Sequence, residues 1–250
     1  SNDSTIQGAD GKTIKLNSGN TYRFRPDGSH VEQFTWGQVN PFGLAFDSLG
    51  NLYSCDCHSQ PVYCLLRGGY YPSFGKPHDG LGYAPEMTTN DHGSTGIAGI
   101  SVYEADHFPK EYQGTVFIGN PVTSRINHDR LEWVGSTPAV KRLPDFLTCD
   151  DPWFRPVDLE LGPDGALYIS DFYNRIIGHY EVPLTHPGRD RSSGRIWRVI
   201  YTGKDRERPS PTMPRADWST ASVADLVADL GHANLAVRIK AANQLADRGG

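Results

Sequence analysis

The chain has 250 residues and a formal net charge of −5, from 24 basic and 29 acidic side chains. This balance gives no electrostatic case for binding nucleic acid or an anionic membrane surface, and no apolar run approaches the ~20 residues needed to span a bilayer. Only 37% of residues are hydrophobic, and 27 Gly and 18 Pro are spread along the sequence, which favours many short strands joined by turns.

The N-terminal part is polar and rich in Gly, and residues 1–20 are predicted to form either a loop or a detached part of a blade. Residues 21–26 and 29–34 alternate in polarity around Asp27-Gly28, which predicts a hairpin of two outer strands. We therefore expect the chain to begin partway through a β-blade.

A strand–turn–strand unit recurs three times. Residues 40–56 (NPFGLAFDSLGNLYSCD) align with residues 155–171 at a constant offset of 115, and residues 99–120 contain a weaker copy with strands at 99–103 and 115–120. Each copy ends on a polar residue: Asp56, Asn120 or Asp171. Repeated units of this kind predict a β-propeller or a related repeat array.

Further strands are predicted between and after these units, at residues 62–66, 124–127, 131–134 and 194–201. Residues 140–146 lead into the unit at 153–175, and residues 176–180 follow it. A long insertion at residues 68–94 is rich in aromatic residues, Pro and Gly. Loops of this length in a compact domain are usually functional or disordered, and the aromatic residues favour order.

The hydrophobic period changes near the C-terminus. Residues 202–218 are rich in Pro, Arg and Lys and are predicted to form a linker, whereas apolar residues from 219 onward recur at helical spacing. Gly231 is expected to end a first helix and Asn234 to cap a second. Such a pair cannot bury its apolar face alone, so we expect it to be the first of a stacked series.

The predicted fold is thus mainly β. It comprises a partial propeller of about three to four four-stranded blades over residues 1–201, a linker over 202–218, and a helical pair over 219–250.

The four cysteines are Cys55, Cys57, Cys64 and Cys149. The sequence Cys-Asp-Cys-His at 55–58 has one residue too few between its cysteines for covalent haem attachment, so Cys55 is expected to be an ordinary strand residue. A zinc site using Cys57 and His58 remains open, as does a Cys57–Cys64 or Cys64–Cys149 disulfide in an exported protein.

Propeller geometry predicts where polar residues gather. The start of the innermost strand and the loop after the second strand lie on one face of a blade, and the Gly turns lie on the other. Asn40, the His92 segment and Arg155 should therefore share one rim with the three strand exits. Simpler interpretations are equally open: the aspartates could cap strand ends, Arg155 could form an ion pair with Asp151 or Asp158, and the histidines could be ordinary loop residues.

Several stretches resemble a bacterial propeller family that is abundant in planctomycetes and related to the quinoprotein glucose/sorbosone dehydrogenases. These stretches are residues 40–63, 70–85 (YYPSFGKPHDGLGYAP) and 151–199, while residues 227–248 are similar to the first HEAT-type helical repeat of that family. The resemblance implies an exported, periplasmic or extracellular protein, and full-length members often carry a c-type haem domain as a further partner.

The resemblance also implies a sugar or alcohol dehydrogenase that uses pyrroloquinoline quinone (PQQ). A histidine, His58 or His92, would be the general base, and calcium would be held by Asp56, Asn120 and Asp171. The quinone would be bound by Arg155 or Arg125 through its carboxylates, with Asn40, Asn174 and Arg175 nearby. The carbohydrate or alcohol substrate would contact His78, Asp79, Tyr71, Trp153 and Tyr173.

The alternative is a non-catalytic scaffold that binds a glycan or a protein. In that case the rim aromatic residues would hold the ligand and the helical repeats would dock a partner. These aromatic residues are Tyr70, Tyr71, Phe74, Tyr83, Trp153, Phe172 and Tyr173.

Overall fold

The structure is a computed structural model that describes residues 3–17, 19–57, 61–73, 84, 87, 92–94, 96–178 and 181–249. The fold is mainly β, with two helices at the C-terminal end, as the sequence predicts. Within these ranges, no helix combines the length and the apolar character that crossing a membrane requires.

The N-terminal part is a hairpin, which excludes the first of its two predicted alternatives, a loop. Strands β1 (Asp3–Gln7) and β2 (Thr13–Asn17) pair antiparallel, with Ile6 opposite Ile14. Most of their side chains are exposed, so backbone pairing and not burial defines them, and the hydrophobic pattern was too weak to reveal them. The predicted second hairpin is present as β3 (Thr21–Arg23) and β4 (Glu32–Thr35).

Three antiparallel sheets follow, and they contain the three predicted repeat units. Sheet A comprises β5 (Pro41–Phe46), β6 (Leu52–Asp56) and β7 (Tyr63–Cys64). Sheet B comprises β8 (Ala98–Val102), β9 (Thr115–Asn120), β10 (Arg125–Val134) and β11 (Thr137–Arg142), with β12 (Leu147–Thr148) pairing to the start of β10. Sheet C comprises β13 (Pro156–Leu161), β14 (Leu167–Asp171) and β15 (Arg195–Val199). Within the described residues, a row of four strands occurs in sheet B alone.

The innermost strands β5, β8 and β13 pack side by side, with β8 in the middle. Gly43 and Gly99 lie at irregularities in the strand register and have φ of 80° and 67°. A Cβ atom on Gly43 would lie 3.0 Å from Gly99 Cα, and one on Gly99 would lie 2.6 Å from Asp158 Cα. The sheets therefore follow one another around an axis without closing, which is a partial propeller-like arrangement.

Two apolar clusters join the sheets. Between sheets A and B, Tyr53 and Val62 pack with Ile100 and other buried residues. Between sheets B and C, Phe117 and Leu159 are among the buried residues of a second cluster. The core is therefore divided into layers between successive sheets, as expected for blades that stack face to face.

The third strand of sheet B differs from the prediction. The sequence predicts two short strands around a turn at residues 128–130, but β10 is continuous over ten residues. The polar residues at its centre are buried: the His128 ring stacks on Phe117 at 4.9 Å, and Asp129 Oδ2 is 2.7 Å from His92 Nε2. Elsewhere, residues 140–142 belong to β11, and residues 176–178 are irregular.

Two helices complete the fold after residues 202–218, which contain no helix or strand. Helix α1 (Val223–Asp229) begins with a capping box in which Ser222 Oγ accepts a bond from Asp225 N at 3.1 Å. Helix α2 (Leu235–Gly249) follows Asn234, whose Oδ1 accepts from Ala236 N at 2.8 Å, as predicted for a cap.

The helical pair docks on the turn end of the sheets. Leu235 N donates to Glu104 O at 2.8 Å, and Asn234 Nδ2 donates to Gly162 O at 2.8 Å. A cavity of about 240 Å³ separates the start of α2 from the ends of β5, β8 and β13. The polar residues that end the second strands, which the sequence predicts to form a site, lie at the opposite end of the sheets.

Candidate functional site

The strand starts and exits share one edge in sheets A and C. Pro41 at the start of β5 is opposite Asp56 at the end of β6, and Pro156 at the start of β13 is opposite Asp171 at the end of β14. In sheet B, Asn120 ends β9 one residue after the pair formed by Gly119 and Ala98.

Contacts between sheets place these exits next to one another. Arg155 Nη1 donates to Pro121 O at 2.6 Å and its Nε donates to Asn174 O at 3.0 Å, which joins the exits of sheets B and C. Cys55 Sγ lies 3.6 Å from Gly99 O, which joins the exit of sheet A to the start of sheet B. We call the end of the array that carries the three exits the rim.

The Asp56 carboxylate holds the chain that enters sheet A. It accepts hydrogen bonds from Val39 N at 2.6 Å and from Asn40 N at 3.0 Å, and its side chain is buried. A carboxylate that accepts backbone N–H groups fixes a turn without needing a metal ion.

Asp171 repeats this role in sheet C. Its Oδ1 accepts from Arg155 N and from Tyr173 N, both at 2.8 Å, and its Oδ2 accepts from Trp197 Nε1 at 3.0 Å. Residue 155 is equivalent to Asn40 in the repeat. In both sheets, therefore, the aspartate that ends the second strand accepts the backbone N–H of the residue before the first strand.

Asn120 is also occupied by internal hydrogen bonds. Its Nδ2 donates to Asn127 Oδ1 at 3.1 Å, and its Oδ1 accepts from Thr123 N at 3.2 Å. In the described part of the chain, no group of three His, Cys, Asp or Glu side chains is placed to hold a metal ion. As arranged, Asp56, Asn120 and Asp171 do not fit the calcium site that the resemblance implies.

The two candidate quinone-binding arginines are engaged within the protein. Besides its bonds to residues 121 and 174, Arg155 Nη2 donates to Arg175 O at 3.4 Å, and burial lowers the pKa of this guanidinium. Arg125 Nη1 is 2.7 Å from Asp145 Oδ2. All three Arg155 side-chain nitrogens thus donate to backbone carbonyls, so this guanidinium does not fit the carboxylates of a quinone. The Arg125 side chain is paired with Asp145 and is 39% exposed.

The other candidate cofactor contacts lie on or under the rim. Asn40 is exposed, and its Nδ2 donates to Cys57 Sγ at 2.7 Å. Asn174 is buried, and its Nδ2 donates to Asp190 O at 2.7 Å. The Arg175 side chain is exposed.

The candidate base His92 lies away from the rim. It pairs with Asp129 in the middle of β10, the third strand of sheet B, and both side chains have no solvent exposure. The structure therefore uses His92 to hold the end of the insertion against sheet B, which corrects its placement at the channel. Other candidates lie outside the described residues: His58, Phe74, His78, Asp79 and Tyr83.

Tyr71 is likewise a core residue rather than an exposed sugar contact. Its hydroxyl donates to Cys64 O at 2.6 Å and accepts from Leu66 N at 2.8 Å, and its ring packs edge-on against Tyr63 at 5.4 Å. Both of its predicted roles, in substrate binding and in the rim aromatic set, are corrected by its burial.

An aromatic and cationic stripe crosses the rim of sheet C. The Trp153 and Tyr173 rings are 5.6 Å apart, and Arg195 Cζ lies 3.2 Å from the Tyr173 ring centre and 6.0 Å from that of Trp197. We call these four residues the rim stripe. The exposed Phe172 lies beside it in sequence.

The rim stripe contains two predicted residues and two that sequence reasoning missed. Arg195 and Trp197 belong to the predicted strand at 194–201, and their spacing of two places both on one face. This alternation is the signal in the sequence that could have placed Arg195 and Trp197 side by side at the site.

Tyr173 is held in a conformation that is uncommon for its residue type. Its φ is 43°, in the left-handed region that non-glycine residues rarely occupy. The bond from its N–H to Asp171 fixes the backbone, and its hydroxyl donates to Asp151 Oδ2 at 3.1 Å. Such backbone outliers concentrate at ligand sites, where the surrounding structure maintains them.

All four cysteines are free thiols, so neither of the possible disulfides is formed. Cys55 is buried in β6, as expected for a strand residue. Burial raises the pKa of the Cys55 thiol and raises that of Cys64 to about 11, so both stay protonated at neutral pH.

Three solved sugar dehydrogenases are similar to this chain at low identity. An oxidoreductase (glucose dehydrogenase) from Thermus thermophilus is 22% identical, with 76% of this chain and 54% of that chain covered and a TM-score of 0.49. The apo-form soluble aldose sugar dehydrogenase from Escherichia coli is 20% identical, with coverages of 64% and 51% and a TM-score of 0.40. The PQQ-bound aldose sugar dehydrogenase from Streptomyces coelicolor is 16% identical, with coverages of 68% and 55% and a TM-score of 0.43.

This chain thus spans about half the length of these three structures. No curated protein matches it in sequence. A protein-family comparison matches residues 1–203 to the domain of unknown function DUF7133. Because the match covers most of the sequence, the chain belongs to the DUF7133 family.

Proposed function

We propose that this protein binds neutral carbohydrate at the rim of sheet C, through the rim stripe. The observation that carries this proposal is a row of partly exposed aromatic rings, Trp153, Tyr173 and Trp197, interleaved with the Arg195 guanidinium. Aromatic rings that remain accessible at a strand exit have no core to fill, so a ligand-binding role explains them better than packing does.

The chemistry of the stripe suits a sugar. The C–H faces of a pyranose ring pack against indole and phenol rings, and its hydroxyls need donors and acceptors at the edge of the platform. Arg195 supplies donors, and Asp151, which already accepts from Tyr173, supplies a carboxylate. Opposite charges at one edge favour a neutral polar ligand over a strongly ionic one.

The stripe is also held in place before any ligand arrives. Asp171 anchors both the Tyr173 backbone and the Trp197 indole, and the Arg195 guanidinium stacks on the Tyr173 ring. A platform that is already ordered loses little conformational entropy on binding, so a few contacts suffice for measurable affinity.

Oxidation of the bound sugar by a PQQ-dependent dehydrogenase reaction is the further activity that the sequence resemblance implies. The described residues do not support it, since Arg155 and Arg125 are engaged internally and the aspartates hold backbone groups. The proposal therefore stops at carbohydrate binding, and the scaffold alternative is favoured over catalysis.

The test is to measure the binding of glucose, maltose and cellobiose by tryptophan fluorescence and by calorimetry. Trp153→Ala removes an aromatic contact of about 0.5–1.5 kcal/mol, which corresponds to affinity roughly two- to tenfold weaker. Trp133→Ala is the matched control, because Trp133 is also exposed but lies on the outer hairpin of sheet B. Absence of binding to every sugar, or equal weakening by both substitutions, would refute the proposal.

A further inference from the structure

A buried histidine joins the loop between β8 and β9 to the chain that leaves β15. His107 Nε2 accepts a hydrogen bond from Tyr201 N at 3.0 Å, and His107 O accepts one from Arg208 Nη1 at 3.0 Å. The turn of sheet C lies directly against this histidine, since a Cβ atom on Gly165 would lie 2.7 Å from His107 Cβ. We call residues 200–211, which contain both donors, the strap.

Arg198 on β15 holds the far end of the strap. Its Nη1 donates to Ser210 Oγ at 2.9 Å, and its Nη2 donates to Pro211 O at 2.6 Å. Residues 204–210 are exposed, so this part of the strap is held by hydrogen bonds and not by burial. The bonds at His107 and at Arg198 therefore fasten the strap at its two ends.

The bond from Tyr201 requires a neutral imidazole ring. A ring nitrogen that accepts a backbone N–H carries no proton of its own, whereas a protonated ring has two donors and no acceptor. A proton on His107 Nε2 would point at the Tyr201 N–H, so protonation removes this bond and sets two donors against each other.

The charges around the ring come from three directions. Arg208 approaches from the strap, Arg198 and Asp164 from sheet C, and Asp106 from the loop that carries His107 itself. Burial is the main cause that lowers the pKa of His107, and the two arginines lower it further, while the two aspartates oppose this effect. The fastened strap therefore favours the uncharged ring.

The strap also forms one wall of an aromatic hollow between sheets B and C. The hollow has a volume of about 180 Å³, and Phe108, Tyr112 and Phe146 line it opposite Ile200 and Tyr201. The Tyr201 side chain packs against the buried cluster between these two sheets. Movement of the strap would therefore uncover the aromatic side chains beneath it.

We propose that protonation of His107 releases the strap and opens the aromatic hollow, so that this histidine is an acid-sensitive switch. The helical pair stays docked when the strap opens, because it is held separately by the bonds of Leu235 and Asn234 to the turns of the sheets. The switch lies at the turn end of the sheets and acts apart from the rim stripe.

The direction of the pH effect follows from the linkage between proton binding and opening. The ring binds a proton more tightly when the strap is open, because it is then in water and has no N–H to accept. The equilibrium constant for opening should therefore rise as pH falls below about 6.5, by at most about tenfold per pH unit, until the fastened form also takes up the proton.

Hydrogen exchange of the Tyr201 amide in the full chain tests the switch. After division by the intrinsic exchange rate at each pH, its protection should fall by about tenfold or more between about pH 7 and about pH 5. His107→Gln offers an amide oxygen that accepts the same bond and does not titrate, so its protection should stay constant over this range. His107→Phe keeps a ring without an acceptor, so the Tyr201 amide should exchange fast at both pH values.

Two controls separate the switch from general effects of acid. His186→Gln removes an exposed histidine that also accepts a backbone N–H, from Gly188, and it should behave as the wild-type chain does. The amide of Ile169, in the middle strand of sheet C, should keep its protection at about pH 5, because strap release leaves this sheet intact. Constant protection of Tyr201 in the wild-type chain would overturn the proposal. So would a His107→Gln variant with the wild-type pH dependence, or loss of protection at Ile169 together with Tyr201.

Discussion

Removing the Asp171 carboxylate is expected to destabilise the rim of sheet C more than any other single polar substitution there. In Asp171→Ala, the N–H groups of Arg155 and Tyr173 lose their acceptor in a buried site, while the Trp197 indole can turn to water. Each buried donor left unsatisfied costs about 1–3 kcal/mol. The two together predict a loss of about 2–6 kcal/mol, a large share of the ~5–15 kcal/mol that holds a typical domain together.

Urea unfolding followed by circular dichroism measures this loss. Asp171→Asn keeps one oxygen for the backbone groups and should cost only about 1 kcal/mol. Asp150→Ala is the control, because Asp150 is exposed and nearby, and surface changes of this kind stay within about 0.5 kcal/mol. A loss below about 1 kcal/mol in Asp171→Ala would refute the view that this carboxylate supports the rim.

Three further predictions address the packing, the titration and the thiols. Gly99→Ala should cost about 1–3 kcal/mol more than Gly135→Ala in urea unfolding, because both have positive φ but only the former Cβ meets the backbone of β13. Burial lowers the pKa of His128, so the unfolded chain takes up the proton first. Stability should therefore fall as pH drops below about 6.5, by at most about 1.4 kcal/mol per pH unit, and this slope should be smaller in His128→Gln. A thiol reagent should label the half-buried Cys57 and Cys149 in the folded chain and the other two cysteines only after unfolding; four fast thiols would contradict the packing.

The repeat units were predictable because they leave a strong pattern. The offset between residues 40–56 and 155–171 reflects positions that face equivalent neighbours, and alternation along each strand gives its faces. Asn234 was predictable as a helix cap for a different reason. Its side chain bonds to the backbone only two residues away, so neighbouring residues alone decide the bond.

The use of the polar residues was not predictable, because it depends on distant partners. Arg155 is a candidate ligand by sequence, and only the structure shows that its side chain bonds to two loops, at residues 121–122 and 174–175. The sequence around Asp129 suggests a turn, because its partner His92 lies 37 residues earlier and leaves no local signal. The β1–β2 hairpin was missed because its strands bury little. Hydrogen bonds between distant residues and the pairing of exposed strands are therefore the features that the sequence pattern does not predict.

The first residues of α2 bond to two carbonyls that belong to different sheets, Glu104 O beside sheet B and Gly162 O beside sheet C. Heat cannot detach the helical pair without freeing both turns and uncovering the ends of three inner strands at once. The C-terminal segment and the two sheets that it touches should accordingly melt together, in one calorimetric transition.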